Sequence, residues 1–137
     1  MSDLLDGIVP VPKSEASLLL EAGYLLMELG KTKEAEEVFV GVSALLPKSD
    51  VALVALGNFH FAQGKFQRAL KFHKEALKVR PDSALALAHI GESLLFLKKK
   101  GEAVEALDKS LSLEPEGDQS AFAQSLLEAA NLGELGA

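Results

Sequence analysis

The 137-residue chain contains no cysteine, which removes disulfide frameworks, thiolate zinc sites and cysteine nucleophiles from consideration. It has no excess of positive charge either. With 14 Lys and Arg against 20 Asp and Glu the net charge is −6, so a nucleic-acid backbone or an anionic membrane surface is repelled on average. The run Lys98-Lys99-Lys100 has no aromatic residue interleaved to stack on bases, and it reads as a solvated turn. No stretch approaches the ~18 consecutive apolar residues of a membrane span. The opening MSDLLDG is acidic where a secretory signal needs positive charge. The expectation is a cytoplasmic protein that neither binds nucleic acid nor spans a membrane. Apolar residues make up 48% and charged residues 25%, enough for one domain with a real core.

One short string suggests chemistry. Gly30-Lys31-Thr32 is how a phosphate-binding loop ends, but that motif needs a glycine five residues before Gly30, a strand in front and a helix behind. Leu25 stands there, and YLLMEL between Gly23 and Gly30 reads as helix. No other constellation supports catalysis. His60, His73 and His89 are too far apart in sequence for a ligand pair on one helical turn, and no serine lies in a Gly-x-Ser-x-Gly elbow. Glu34, Glu36 and Glu37 read as exposed partners for lysine along a helix face. The chain is therefore not expected to be an enzyme, and no cofactor or metal is implied.

What the sequence does have is internal repetition. Gly23, Gly57 and Gly91 are spaced 34 residues apart, as are Ala35, Ala69 and Ala103, and again Pro47, Pro81 and Pro115. The glycines suit a close approach of two helices, and the alanines read as the small residues facing them. The prolines stop a second helix and turn the chain into the next unit. Gly30 and Gly64 suit helix C-caps with positive φ. Thr32, Asp50 and Asp118 read as N-caps, and Gly133 as a stop signal. The layout is helices at about 15–29, 32–46, 50–63, 66–79, 84–97, 100–113 and 118–131.

A 34-residue period of paired helices, with a Leu-Gly pair, an alanine early in the second helix and a closing proline, resembles the tetratricopeptide repeat over about residues 16–117. The pattern departs from it at Leu19, Leu53 and Leu87, where a bulky residue, usually Trp, is customary, and at Lys98, where the first two repeats have Gly30 and Gly64. The resemblance implies an all-α fold: a right-handed superhelical solenoid of three hairpins (about 16–49, 50–83 and 84–117) plus a C-terminal capping helix at about 118–131. An N-terminal extended segment (1–14) would precede it and a short tail (133–137) follow. In the seventh helix Phe122, Leu126, Leu127 and Ala130 form the apolar stripe, with Gln119, Gln124 and Glu128 off it, as a solenoid cap requires. His60 and His73 fall where the family places aromatic packing residues, so a core or half-buried role is expected of them.

The resemblance further implies a protein-binding module with a concave groove lined by the first helix of each hairpin. The positions expected to face the groove are Leu20, Tyr24 and Met27; Val54, Asn58 and Phe61; and Ala88, Glu92, Leu95 and Phe96, with Val51 and Leu85 either groove or core. Tyr24, Phe61 and Phe96 read as exposed anchors. The family's clamp for the terminal carboxylate of heat-shock chaperones needs Lys and Asn in the first repeat and Lys and Arg in the third. Asn58 alone is in place, while Leu20, Tyr24, Leu85 and His89 occupy other clamp positions. A mostly apolar groove implies a protein or peptide with an apolar segment as partner. Three repeats, a cap, a short leading segment and an acidic balance resemble the chaperones of bacterial type III secretion, whose partners are secreted translocator or needle subunits; a generic assembly scaffold or co-chaperone shares the same features. The leading DGIVPVPKSE lies outside the repeat. Pro10 and Pro12 hold Val9 and Val11 extended, and the expectation is an apolar segment that packs on solenoid surface and supports a homodimer.

Overall fold

The computed structural model describes residues 4–5 and 11–133. A small antiparallel pair comes first: β1 (Leu4–Leu5) lies against β2 (Val11–Pro12), with Leu4 opposite Pro12 and Leu5 opposite Val11. Of the expected extended segment, 1–14, residues 1–3 and 6–10 lie outside the described residues, and its end is corrected, since Lys13 and Ser14 already belong to the first helix. Seven helices follow: α1 (Lys13–Glu28), α2 (Thr32–Leu45), α3 (Asp50–Ala62), α4 (Phe66–Val79), α5 (Ala84–Phe96), α6 (Lys100–Leu113) and α7 (Asp118–Asn131).

Each helix end has a local cause. Ser49 and Ser83 sit in extended backbone just before α3 and α5, and their hydroxyls accept the N–H groups of Ala52 (3.2 Å) and Ala86 (3.0 Å). The expected caps Thr32, Asp50 and Asp118 are instead the first helical residues, and Lys31, Ser49 and Gly117 hold the cap positions. Asp50 serves differently: it is buried and accepts a hydrogen bond from Ser83 Oγ at 2.6 Å, tying the start of α3 to the start of α5. At the other ends the chain reverses through one left-handed residue per hairpin, Gly30 (φ +76°), Gly64 (φ +76°) and Lys98 (φ +66°). The same closing bond recurs three times, from Lys31 N–H to Leu26 O, Lys65 N–H to His60 O and Lys99 N–H to Leu94 O. Gly30-Lys31-Thr32 is thus the turn between α1 and α2. Lys98 shows that the turn geometry persists where the glycine is missing.

Within each hairpin the helices cross at the repeating glycine. A Cβ on Gly23 would come within 2.7 Å of the Phe39 ring, one on Gly91 within 2.5 Å of Leu107, and one on Gly57 would overlap the His73 ring. The residue opposite the glycine is therefore four positions beyond the repeating alanine. Ala35, Ala69 and Ala103 are fully buried, but their contribution at the crossing is a close backbone: the carbonyl oxygens of Ala69 and Ala103 lie 3.1 and 3.3 Å from the added Cβ.

The hairpins stack into an all-α solenoid. The first helices α1, α3 and α5, followed by α7, touch one another in succession, whereas no comparable contact joins α2 to α4 or α4 to α6. Closer spacing on one side bends the stack, so the first helices form its concave side. Helix α7 occupies the place of a fourth first helix, packing on both α5 and α6 through Ala123, Leu126 and Ala130. Its exposed residues include Gln124, Ser125 and Glu128, which close that end of the stack with a polar surface.

Candidate functional site

The concave side is assembled from equivalent positions one repeat apart. Tyr24, Asn58 and Glu92 each follow a crossing glycine, so the 34-residue period places them in one row. Asn58 Nδ2–H donates to Tyr24 Oη at 3.2 Å, linking the first repeat to the second. His73 on α4 then joins the row from behind: its Nε2 is 3.1 Å from Asn58 Oδ1 and its Nδ1 is 3.3 Å from Ser93 Oγ. A neutral ring with its proton on Nε2 satisfies both, donating to the amide oxygen and accepting from the serine hydroxyl. His73 is fully buried, and burial together with the neighbouring His89 pushes its pKa down to about 3. The ladder Tyr24–Asn58–His73–Ser93 is thus a satisfied polar network running through three repeats. Burial pushes the Tyr24 phenol up, against the opposing bond from Asn58. Beyond the ladder His89 Nδ1 lies 3.2 Å from Glu92 Oε1, and the His89 ring packs on Phe122 of the cap at 4.8 Å.

An aromatic cluster lies at the end of α3 and α5. The rings of Phe61, Phe66 and Phe96 are mutually 4.9–5.1 Å apart, and all three are half-buried. Tyr24 belongs elsewhere: it is 38% exposed and packs edge-on to Phe39 at 5.1 Å. Phe66 was not among the expected residues. The signal for it was Phe61 and Phe66 straddling the Gly64 turn, with Phe96 at the end of the next first helix, one position beyond the equivalent of Phe61.

Of the ten residues expected in the groove, the structure leaves Tyr24 exposed and Met27, Asn58, Phe61, Glu92 and Phe96 half-buried. It buries Leu20, Val54, Ala88 and Leu95, which corrects their expected surface position. The first helices α3 and α5 are covered by their own partner helix, by the second helix of the preceding hairpin and by the next first helix. Val54, for instance, packs with Ala76 of α4 and Ala86 of α5. Val51 is 49% exposed and Leu85 half-buried. The groove is accordingly less apolar than expected, with a polar centre between the aromatic cluster and Val51 and Leu85.

His60 and His73 are buried, as their aromatic-packing positions imply, and His89 is half-buried. His60 stacks on Phe72 (5.3 Å, 11° between planes) and accepts from Arg68 Nε–H at 3.4 Å; burial first, then Arg68, lowers its pKa. Among the described residues no group of three or more His, Asp or Glu could hold a metal ion, and no helix is long and apolar enough to cross a membrane. The α3 and α5 helices carry neither Lys nor Arg, and Asn58, the one residue in place for a carboxylate clamp, is committed to Tyr24 and His73.

Helical hairpins crossing at a glycine, recurring every 34 residues and stacked with their first helices inward, define a tetratricopeptide repeat protein. A family model described as "Anaphase-promoting complex, cyclosome, subunit 3" matches residues 29–110, more than half of the chain, and the chain belongs to that family. It is 28% identical over 110 residues to the mouse trafficking protein particle complex subunit 12, a match covering 76% of this chain; the chain spans only 14% of that protein's length. Among solved structures, the Yersinia enterocolitica type III secretion chaperone SycD in complex with a peptide of the translocator YopD is similar with a TM-score of 0.71 and 21% identity, covering 89% of this chain and 96% of that one. The first repeat domain of Spaghetti (RPAP3), bound to the HSP90 peptide SRMEEVD, gives 0.69 and 22%, covering 88% and 97%. At these identities the structural likenesses establish a shared fold.

Proposed function

We propose that the chain is a peptide-holding module that grips an amphipathic segment of a partner protein on its concave side. The half-buried Phe61–Phe66–Phe96 cluster, whose Phe61 follows Asn58 of the ladder by one turn of α3, carries this reading. Aromatic rings with one face open supply large apolar contact area at low entropy cost, and polar groups fixed by a network are ready to orient a backbone. A segment presenting apolar side chains to the cluster and to Val51 and Leu85, with its polar edge on the exposed Tyr24 hydroxyl and on Glu92, matches this pattern. A terminal-carboxylate ligand does not, since no cation faces it from α3 or α5.

In its most concrete form the module is a cytoplasmic chaperone that holds a type III secretion substrate, such as a translocator or needle subunit, before export. Its support is the shared fold with a chaperone that binds a translocator peptide. An assembly-scaffold reading is favoured by the relative that is a subunit of a trafficking complex. Affinity capture of the native chain followed by mass spectrometry separates the two: one short secreted partner supports the chaperone, and subunits of a housekeeping complex support the scaffold. Against the captured partner, Phe61→Ala and Phe96→Ala should each weaken binding by about 2 kcal/mol while circular dichroism stays unchanged. Folded variants that bind the partner as tightly as the parent would remove the concave assignment.

A further inference from the structure

The two ends of the solenoid are finished differently. Helix α7 turns Gln124, Ser125 and Glu128 outward at one end, where Leu132, just past the helix, is the exposed large apolar side chain (75%). At the other end α1 and the turn residue that follows it expose Leu18 (66%), Leu25 (55%) and Leu29 (62%), with Ala22 also exposed between them. The spacing 18, 22, 25, 29 is the 4-3-4 progression of a coiled-coil seam, so the four side chains form one stripe along three turns of helix. Leucines this open are not scattered singly over the surface, where they would need no explanation. Leu19, 42% exposed, widens the stripe on one side.

The charge beside the seam is of one sign. Glu21 and Glu28 stand in the positions that flank a seam residue and face a partner helix, both are exposed, and Glu15 lies one turn before Leu18. From Ser14 to Gly30 the chain has no Lys or Arg. Two copies of α1 laid seam to seam in antiparallel orientation would bring these carboxylates together, and like charges at flanking positions disfavour that pairing; in parallel orientation they would face the flank of the other copy that carries Leu19 and Leu26 and gain no charge partner. A helix with the same apolar seam and Lys or Arg at its flanks would meet them with opposite charge.

We propose that the exposed face of α1 is a second docking surface, distinct from the concave side, which accepts an amphipathic α-helix of a partner protein with a leucine-type seam and basic flanks. The seam supplies the apolar contact and Glu21 and Glu28 select the charge of the partner. This surface stands independently of what the concave side holds.

The probes are two synthetic helices of about three heptads with Leu at both seam positions, one carrying Lys and one Glu at the flanking positions. Fluorescence anisotropy against the full chain should show the Lys helix binding at least about tenfold tighter than the Glu helix. The double substitution Leu25→Ser/Leu29→Ser, at exposed positions that do not threaten the fold, should abolish binding of the Lys helix. Charge reversal at Glu21→Lys/Glu28→Lys should transfer the preference to the Glu helix. The same reversal on α6, at the exposed Glu102→Lys/Glu105→Lys, should leave the preference in place, which separates local recognition from net charge. Equal binding of both helices, retained binding by the serine variant, or loss of preference with the α6 reversal would each overturn the proposal. So would light scattering that finds the free chain dimeric and the serine variant monomeric, because a second copy would then cover the seam.

Discussion

Replacing Gly57 with alanine adds one methyl group, and the structure says where it goes. The new carbon would overlap Cδ2 and Nε2 of His73 and stand 3.1 Å from the Ala69 carbonyl oxygen. Since the carbonyl belongs to the α4 backbone, the ring must give way. It is held at Nε2 by Asn58 and at Nδ1 by Ser93, so swinging aside sacrifices one or both of these bonds. Overpacking of this kind costs about 1–3 kcal/mol, and each buried hydrogen bond lost adds roughly 0.5–1.5 kcal/mol. Alanine offsets about 1 kcal/mol through its better helix propensity. The net expectation is a loss of about 0.5–5 kcal/mol, or a fall in Tm of roughly 2–20 °C for a domain of this size. Gly41 and Gly101 are helical glycines with open space where a Cβ would stand, so Gly41→Ala should be neutral or raise Tm by up to about 4 °C. Thermal melts followed by circular dichroism compare the two. If Gly57→Ala melts at or above the parent temperature, the helices do not cross at this residue and the reasoning fails.

Lys98 holds φ +66° where its equivalents are glycine, so Lys98→Gly should stabilise the chain by about 1 kcal/mol in a denaturant melt; no change would mean that the left-handed turn is unstrained. His73 is neutral with its pKa lowered to about 3 in the folded state, so its contribution is complete above the unfolded value near 6.5 and is lost as pH falls toward 3. Between those pH values His73→Phe, which copies Phe39 of the first repeat, should lose stability less steeply than the parent by up to about 1.4 kcal/mol per pH unit, whatever its stability at pH 7. Parallel slopes would show that His73 exchanges no proton on unfolding.

Much of the architecture was legible because the repeat constrains it three times over. The columns at Gly57, Ala69 and Pro81 have physical duties that recur in every hairpin, and the helices inferred from them agree with the structure within about two residues at most ends. Capping was less legible. Ser49-Asp50 offers two good cap residues in succession, and only the backbone shows that Ser49 turns its hydroxyl to Ala52 while Asp50 reaches Ser83. Groove membership was least legible, because a first helix buries two faces and periodicity alone does not separate the face toward the neighbouring repeat from the face toward the groove. Leu20, Val54 and Ala88 share a column for that reason and are all buried. His73 was recognised as a packing residue but not as a ladder member, since Ser93, its second partner, carries no sequence signal of its own.

The central claim, that the concave side holds the partner, is tested most directly by photo-crosslinking in living cells. A photoreactive phenylalanine would be placed in turn at Tyr24, Phe61 and Phe96, and for comparison at Val40 and Gln67, which are exposed on the second helices α2 and α4. The account predicts adducts to one segment of one partner from the first three positions, and none to that segment from Val40 or Gln67. Adducts to it from Val40 and Gln67 with Tyr24, Phe61 and Phe96 silent would contradict the account.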